Sequence, residues 1–253
     1  MPSTRAAWLG RQRLLRLSNP AIFTANTGSG ALDIPCVTKT GNILLFVVCC
    51  DVSSTVESPY TVTYDLGGSA NLFTQHKTLT GAQSSEQVSK PRMIIATVKG
   101  VPITGLSKMI RLATFASTLN CFVILTADLP KWWSGTIGNS DASAGVSVAK
   151  NAHAATPITT GVKNSLVVVG GGCHGVSTSG SVILAAAPTG APAAGGPYAI
   201  IASGVSGISA IDWAGIFGWK LQPASGASCE CRIASANGAN SSNWGAGIIE
   251  IRP

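Results

Sequence analysis

The chain has 253 residues, of which 45% are hydrophobic and only 11% charged, with a formal net charge of +7. It is long enough to bury a core and too apolar to be disordered by composition. Its 29 glycines and 13 prolines suit many short strands joined by turns and argue against a helical bundle, a coiled coil or a nucleic-acid machine.

In chain order, residues 1–20 read as a basic arm. Arg5, Arg11, Arg13 and Arg16 have no acid among them and interleave with Trp8, Leu9, Leu14, Leu15 and Leu17. One or two helical turns are predicted over Arg5–Leu17, ended by Asn19-Pro20. Arginines occupy the place of an apolar signal core, so no secretory signal is read. Trp8 and the leucines gain nothing in water. Arg5, Trp8, Arg11, Arg13, Leu14, Leu15 and Arg16 are therefore the candidate protein-docking residues. The rest of the chain carries only +3, a weak pull on nucleic acid, so no nucleic-acid partner is expected.

Beyond the arm the period becomes two. Ile43 to Cys50 is a continuous apolar run rich in branched residues, the pattern of a central strand covered on both faces. It falls far short of the ~20 residues that span a bilayer, and no membrane partner is expected. Tyr60, Val62, Tyr64 and Leu66 alternate with polar residues, as in a strand buried on one side. Lys131-Trp132-Trp133 follows Pro130 where a strand gives way to a loop. Trp132 and Trp133 are candidate ligand or interface residues, because exposed aromatics stack on sugars and anchor protein contacts. They equally suit a core cap beside a loop cover. Residues 131–160, with Ser134-Gly135-Thr136 and Thr156-Pro157, read as a linker or crossing loop.

Leu166 to Val169 is a second branched run, followed by Gly170-Gly171-Gly172-Cys173-His174-Gly175. This stretch lacks the Lys-Ser/Thr of a P-loop and the spacing of a dinucleotide turn, and reads as a glycine-rich strand end. Residues 185–196 form an uncharged Ala/Pro/Gly loop. Trp213, Phe217, Trp219 and Leu221 share one parity, and Cys229, Cys231 and Ile233 alternate with Glu230 and Arg232. Trp213, Trp219 and Trp244 are assigned to the core.

Three segments echo one another at a near-constant distance. Gly41–Val48 is matched 122 residues later from Lys163, Met93–Lys99 is matched 121 later from Ala214, and Asn120–Pro130 is matched 123 later by Asn243–Pro253. The chain is thus a pseudo-repeat, with halves at about 31–130 and 157–253. Each half offers about four strands, and two halves make the eight of a jelly roll. The expectation is an all-β, jelly-roll-like antiparallel β-sandwich over 21–253, built from two similar halves and preceded by the arm. Two consecutive small sandwiches split near 131–160 are the alternative.

None of the seven cysteines pairs with another at zinc-knuckle spacing, and the three histidines are far apart. The odd count with apolar neighbours reads as free buried thiols from a reducing cytoplasm. The ten acids are scattered singly, with no calcium-loop run and no paired spacing. No catalytic, metal or cofactor residues are assigned, and the chain is read as a non-enzyme.

The early strand Gly-Asn-Ile-Leu-Leu-Phe-Val-Val, the Trp-rich middle, the second strand Asn-Ser-Leu-Val-Val-Val and the terminal Asn-Trp-Gly-Ala-Gly-Ile-Ile-Glu-Ile-Arg-Pro recur together. Over residues 30–253 this pattern resembles the β-sandwich virion structural proteins of tailed bacteriophages and related particles, such as head decorations, spikes and tail components. The resemblance implies a homo-oligomeric structural protein, made in the host cytoplasm and located in the virion, whose partners are other capsid or tail proteins. It carries no shared catalytic residues. A carbohydrate-binding module recognising a host-surface glycan through Trp132 and Trp133 is the second expectation. A hydrolase on the same sandwich is the third.

Overall fold

A computed structural model describes residues 17–27, 30–35, 41–52, 61–65, 70–81, 89–100, 109–115, 119–146, 153–154, 156–174, 182–184, 198–208, 211–235 and 243–253. Every regular element among them is a strand. The chain is an all-β sandwich protein with antiparallel pairing throughout.

The first half holds β1 (Ser18–Thr27), β2 (Gly30–Pro35), β3 (Ile43–Val52), β4 (Thr61–Asp65), β5 (Ala70–Leu72), β6 (Thr74–Thr80), β7 (Ser89–Val98), β8 (Met109–Phe115) and β9 (Leu119–Asp128). The second holds β10 (Ile137–Val146), β11 (His153–Ala154), β12 (Ile158–Thr159), β13 (Ser165–His174), β14 (Val182–Leu184), β15 (Ala199–Ile208), β16 (Ile211–Gln222), β17 (Ser228–Cys229), β18 (Arg232–Ser235) and β19 (Asn243–Ile251).

The two halves repeat one topology. The first has an inner sheet β1-β9-β3-β7-β6 and an outer sheet β2-β8-β4-β5. The second has an inner sheet β10-β19-β13-β16-β15 and an outer sheet β11-β18-β14, with a ribbon β12-β17 beside it. In each half the chain passes back and forth between inner and outer sheets, the winding of a jelly roll. Each half is thus a two-sheet sandwich in its own right, with more strands than the four expected from the sequence. The halves start earlier than the repeat suggested, because β1 and β10 are edge strands whose sequences are too polar to read as core strands. The 131–160 stretch is not a linker: β10, β11 and β12 lie in it, and only residues 129–136 connect the last strand of one half to the first of the other. Asn19-Pro20, expected to stop a helix, lies inside β1. Asn19 has φ of 46°, within a one-residue bulge between Ser18 and Ala21. The rest of the predicted arm, and with it Arg5, Trp8, Arg11, Arg13, Leu14, Leu15 and Arg16, lies outside the described residues.

The inner sheets pack face to face with opposite strand order. β1 meets β15, β9 meets β16, β3 meets β13, β7 meets β19 and β6 meets β10. The halves are therefore related by a pseudo-twofold, as in an isologous dimer fused into one chain. Three apolar layers result. Ile34, Leu45, Phe73 and Phe122 lie between the sheets of the first half. Val167, Cys173, Ile216 and Ile248 lie between those of the second. Leu44, Phe46, Met93, Val168, Trp213 and Phe217 fill the space between the inner sheets. β3 and β13 are covered on both faces, as their branched runs predict, and Ile43 to Cys49 are fully buried. At the centre the Phe46 and Phe217 rings meet edge to face, 5.3 Å apart at 71°, a geometry worth about 1 kcal/mol beyond the area buried.

Candidate functional site

The glycine-rich stretch is part of the central strand β13. Its register with β16 and β19 runs unbroken through Gly170, Gly171 and Gly172. A side chain at Gly170 would collide with the Phe217 ring. A Cβ at Gly247 would lie 2.8 Å from Met93 Cε and 3.1 Å from Phe46 Cζ. A Cβ at Gly215 would lie 2.8 Å from Val123. These glycines make room for the Phe217 ring of the neighbouring strand and for Phe46, Met93 and Val123 of the opposing sheet. They serve sheet interlocking, and the backbone there is extended strand, with no cradle of N–H groups for a phosphate.

Trp133 is 2% exposed and belongs to the layer between the inner sheets. Its burial follows from the turn in which its N–H donates to Pro130 O, folding it back under the end of β9. It has no ring face to offer a sugar. Trp132 is half-buried. Trp213 is fully buried, while Trp219 and Trp244 are half-buried at the margins of their layers. Cys49, Cys121, Cys173, Cys229 and Cys231 are free buried thiols.

Sequence reading missed the polar cluster in the second half. Glu250 on β19 is fully buried. One carboxylate oxygen, Oε1, accepts from Ser165 Oγ at 2.6 Å, Gly161 N at 2.8 Å and Val162 N at 3.4 Å. The other, Oε2, accepts from Asn139 N at 3.0 Å and lies 3.6 Å from Arg252 Nε. Burial opposes ionisation, but the hydrogen bonds from Ser165, Asn139, Gly161 and Val162 outweigh it and hold the carboxyl below its ordinary 4.5. Glu250 thus fastens the β10 bulge and the β12–β13 turn to the last strand. The first half repeats the device in simpler form: Asn19 Nδ2, in the β1 bulge, donates to Asp128 Oδ2 at the end of β9, 2.6 Å away. The only signal in the sequence was an acid at the end of each terminal echo segment.

A second group lies between β16 and the outer layer. Lys220 is 8% exposed, and its ammonium stands 4.7 Å from the centre of the Tyr198 ring. Cys229 is fully buried nearby, and its Sγ donates to Ala227 O at 3.9 Å. Tyr198 OH donates to Glu230 O at 2.8 Å, and Arg232 Nε lies 2.8 Å from Glu230 Oε1. Burial lowers the Lys220 amine and raises the Cys229 thiol, while each partly offsets the other. Burial pushes Cys231 up to about 12.

At the seam of the halves, Leu17, Ser18, Asn19 and Pro20 line a crevice of about 500 Å³ with Trp219. The basic segment joins the body there. Across the opposite seam, Lys77 on β6 pairs with Asp141 on β10 at 3.1 Å. Among the described residues no group of three or more His, Cys, Asp or Glu side chains could hold a metal, and no helix is long and apolar enough to cross a membrane. No protein-family model, curated protein or solved structure matches the chain.

Proposed function

We propose that this chain is a non-enzymatic virion structural protein, a surface-displayed head decoration, spike or tail component that docks through its N-terminal basic segment. One observation carries the reading. Two jelly rolls devote their inner sheets to each other, making a four-layered block whose outer sheets are left for contacts. The carboxylates of Asp128 and Glu250 hold backbone bulges and turns in place, a structural use of buried charge. The weakly charged body suits close packing against neighbours, since buried charges need partners. Four arginines are concentrated ahead of β1 in the sequence, and the start of β1 lines the seam crevice.

The test is a chain lacking residues 1–16, which leaves Leu17 and β1 intact. Particles assembled with it, purified by density gradient and probed for the protein, should lack it. The truncated body should still show its sheet signal by circular dichroism. Incorporation equal to that of the full chain would refute docking through the segment.

A further inference from the structure

One end of the block gathers corresponding strand ends of both halves. The connector 129–136 joins the end of β9 to the start of β10, so those two lie together. Ile43 pairs with Val98 and Asp128, which brings Lys99 and Lys131 to this end. Ile137 at the start of β10 pairs with Ile251, and Ile251 with Leu166, which brings Lys163 there from the other half. All three lysines are exposed. Lys99 Nζ donates to Ser134 O at 2.9 Å, which fixes the ammonium and uses one of its three donors. The acids at this end of the inner sheets, Asp128 and Glu250, are 1% and 0% exposed, so the exposed charge there is positive. On the outer sheet Asp33 is taken by Arg111, and Asp65 at the end of β4 offsets one lysine. The seam crevice of about 500 Å³ lies at the same end, since Ser18 on its rim pairs with Asp128. Leu17, Pro20 and Trp219 give it apolar walls.

We propose that this end is a docking face for an acidic protein segment that carries an apolar side chain. The segment's carboxylates meet Lys99, Lys131 and Lys163, and its apolar group enters the crevice. Exposed ion pairs each contribute little, so they steer and orient the segment while the buried apolar anchor holds it. The four arginines that precede Leu17 in sequence add charge of the same sign. A concave crevice does not fit a flat bilayer surface, and a nucleic-acid duplex presents phosphates with no apolar group to fill it. The inference rests on the docking reading above and names the chemistry of the partner.

The experiment uses the full chain, with a synthetic peptide of glutamates around one phenylalanine as the probe. Lysine acetylation by acetic anhydride is mapped by mass spectrometry at low ionic strength. Added peptide should slow it at Lys99, Lys131 and Lys163 and leave Lys77 unchanged. Lys131→Glu should weaken peptide binding about threefold to fivefold. Arg111→Glu, the same change of net charge on the outer sheet, should not. A peptide with glycine in place of the phenylalanine should bind more weakly to the wild-type chain. Uniform protection of all lysines, equal losses in the two variants or an unchanged affinity of the glycine peptide would overturn the proposal. So would phosphatidylglycerol vesicles or duplex DNA that protect the three lysines when the peptide does not. The wild-type footprint needs no variant. It involves no particles, so failure here leaves docking through residues 1–16 to its own truncation test.

Discussion

The two jelly rolls share one strand order but close their interiors differently. In the first, Ile34, Leu45, Phe73 and Phe122 fill the space between the sheets with large apolar side chains. In the second, the same space holds smaller residues such as Cys229, Cys231, Ala214 and Ala246. It also admits Lys220 and the Glu250 network. Among the described residues the second half has the shorter outer strands, two to four residues each, and so less apolar area there to gain at ~25 cal/mol per Å². Hydrogen bonds to a buried carboxylate fill the gap. One winding can therefore be held with a single bond to a buried carboxylate, as at Asp128, or with the larger network at Glu250.

Four measurements sharpen that contrast, from the largest effect to the smallest. Phe46→Ala attacks what the halves share, the ring contact with Phe217 at the pseudo-twofold. It should cost about 3–5 kcal/mol and leave a single melting transition in calorimetry. Two separate transitions would mean that the halves are held independently. Glu250→Ala attacks only the second half. Ser165, Gly161 and Asn139 lose their common acceptor, which should cost about 3 kcal/mol in chemical denaturation, and Glu250→Gln less. The cost should be fully present above pH 4.5 and shrink as pH falls through the depressed folded value, because the unfolded chain takes up the proton first.

The third measurement moves to the first half. His76 on β6 bonds Thr97 Oγ1 at 2.6 Å, and burial lowers its pKa from 6.5. Lys77 and Asp141 are the charged groups beside it at the seam. Wild-type stability should begin to fall as pH drops below 6.5, since the unfolded histidine binds a proton that the folded one refuses. His76→Gln should flatten that limb of a urea-midpoint series and leave the more acidic Glu250 limb in place. The smallest effect is expected at Arg111, whose guanidinium makes 2.6 and 2.7 Å bonds to Asp33 on the exposed outer sheet of the first half. Arg111→Ala should change the denaturation midpoint by less than about 1 kcal/mol, and added salt should reduce the difference further.

Much of this was legible in the residues. Ile43 to Cys49 and Leu166 to Val169 are central strands because only a doubly covered strand tolerates such runs. The alternation at Cys229, Cys231 and Ile233 marks buried positions correctly, although Glu230 between them is buried as well. The edge strands β1 and β10 were hidden, because an edge strand needs little apolar sequence and both carry a bulge that breaks the period. Trp133 looks like a binding residue in sequence because nothing local reveals that its turn aims it inward.

By itself the amino-acid order determined the strand-rich class and the internal duplication, since both depend on local composition and spacing. Only the tertiary structure decided that each half is a jelly roll of its own. It alone decided that the glycines of β13 and β19 make room for Phe46 and Met93, and that Glu250, Ser165 and Asn139 form one unit. Those relations join residues far apart in the chain, and their energies come from close packing and desolvation that exist only once the sheets have met.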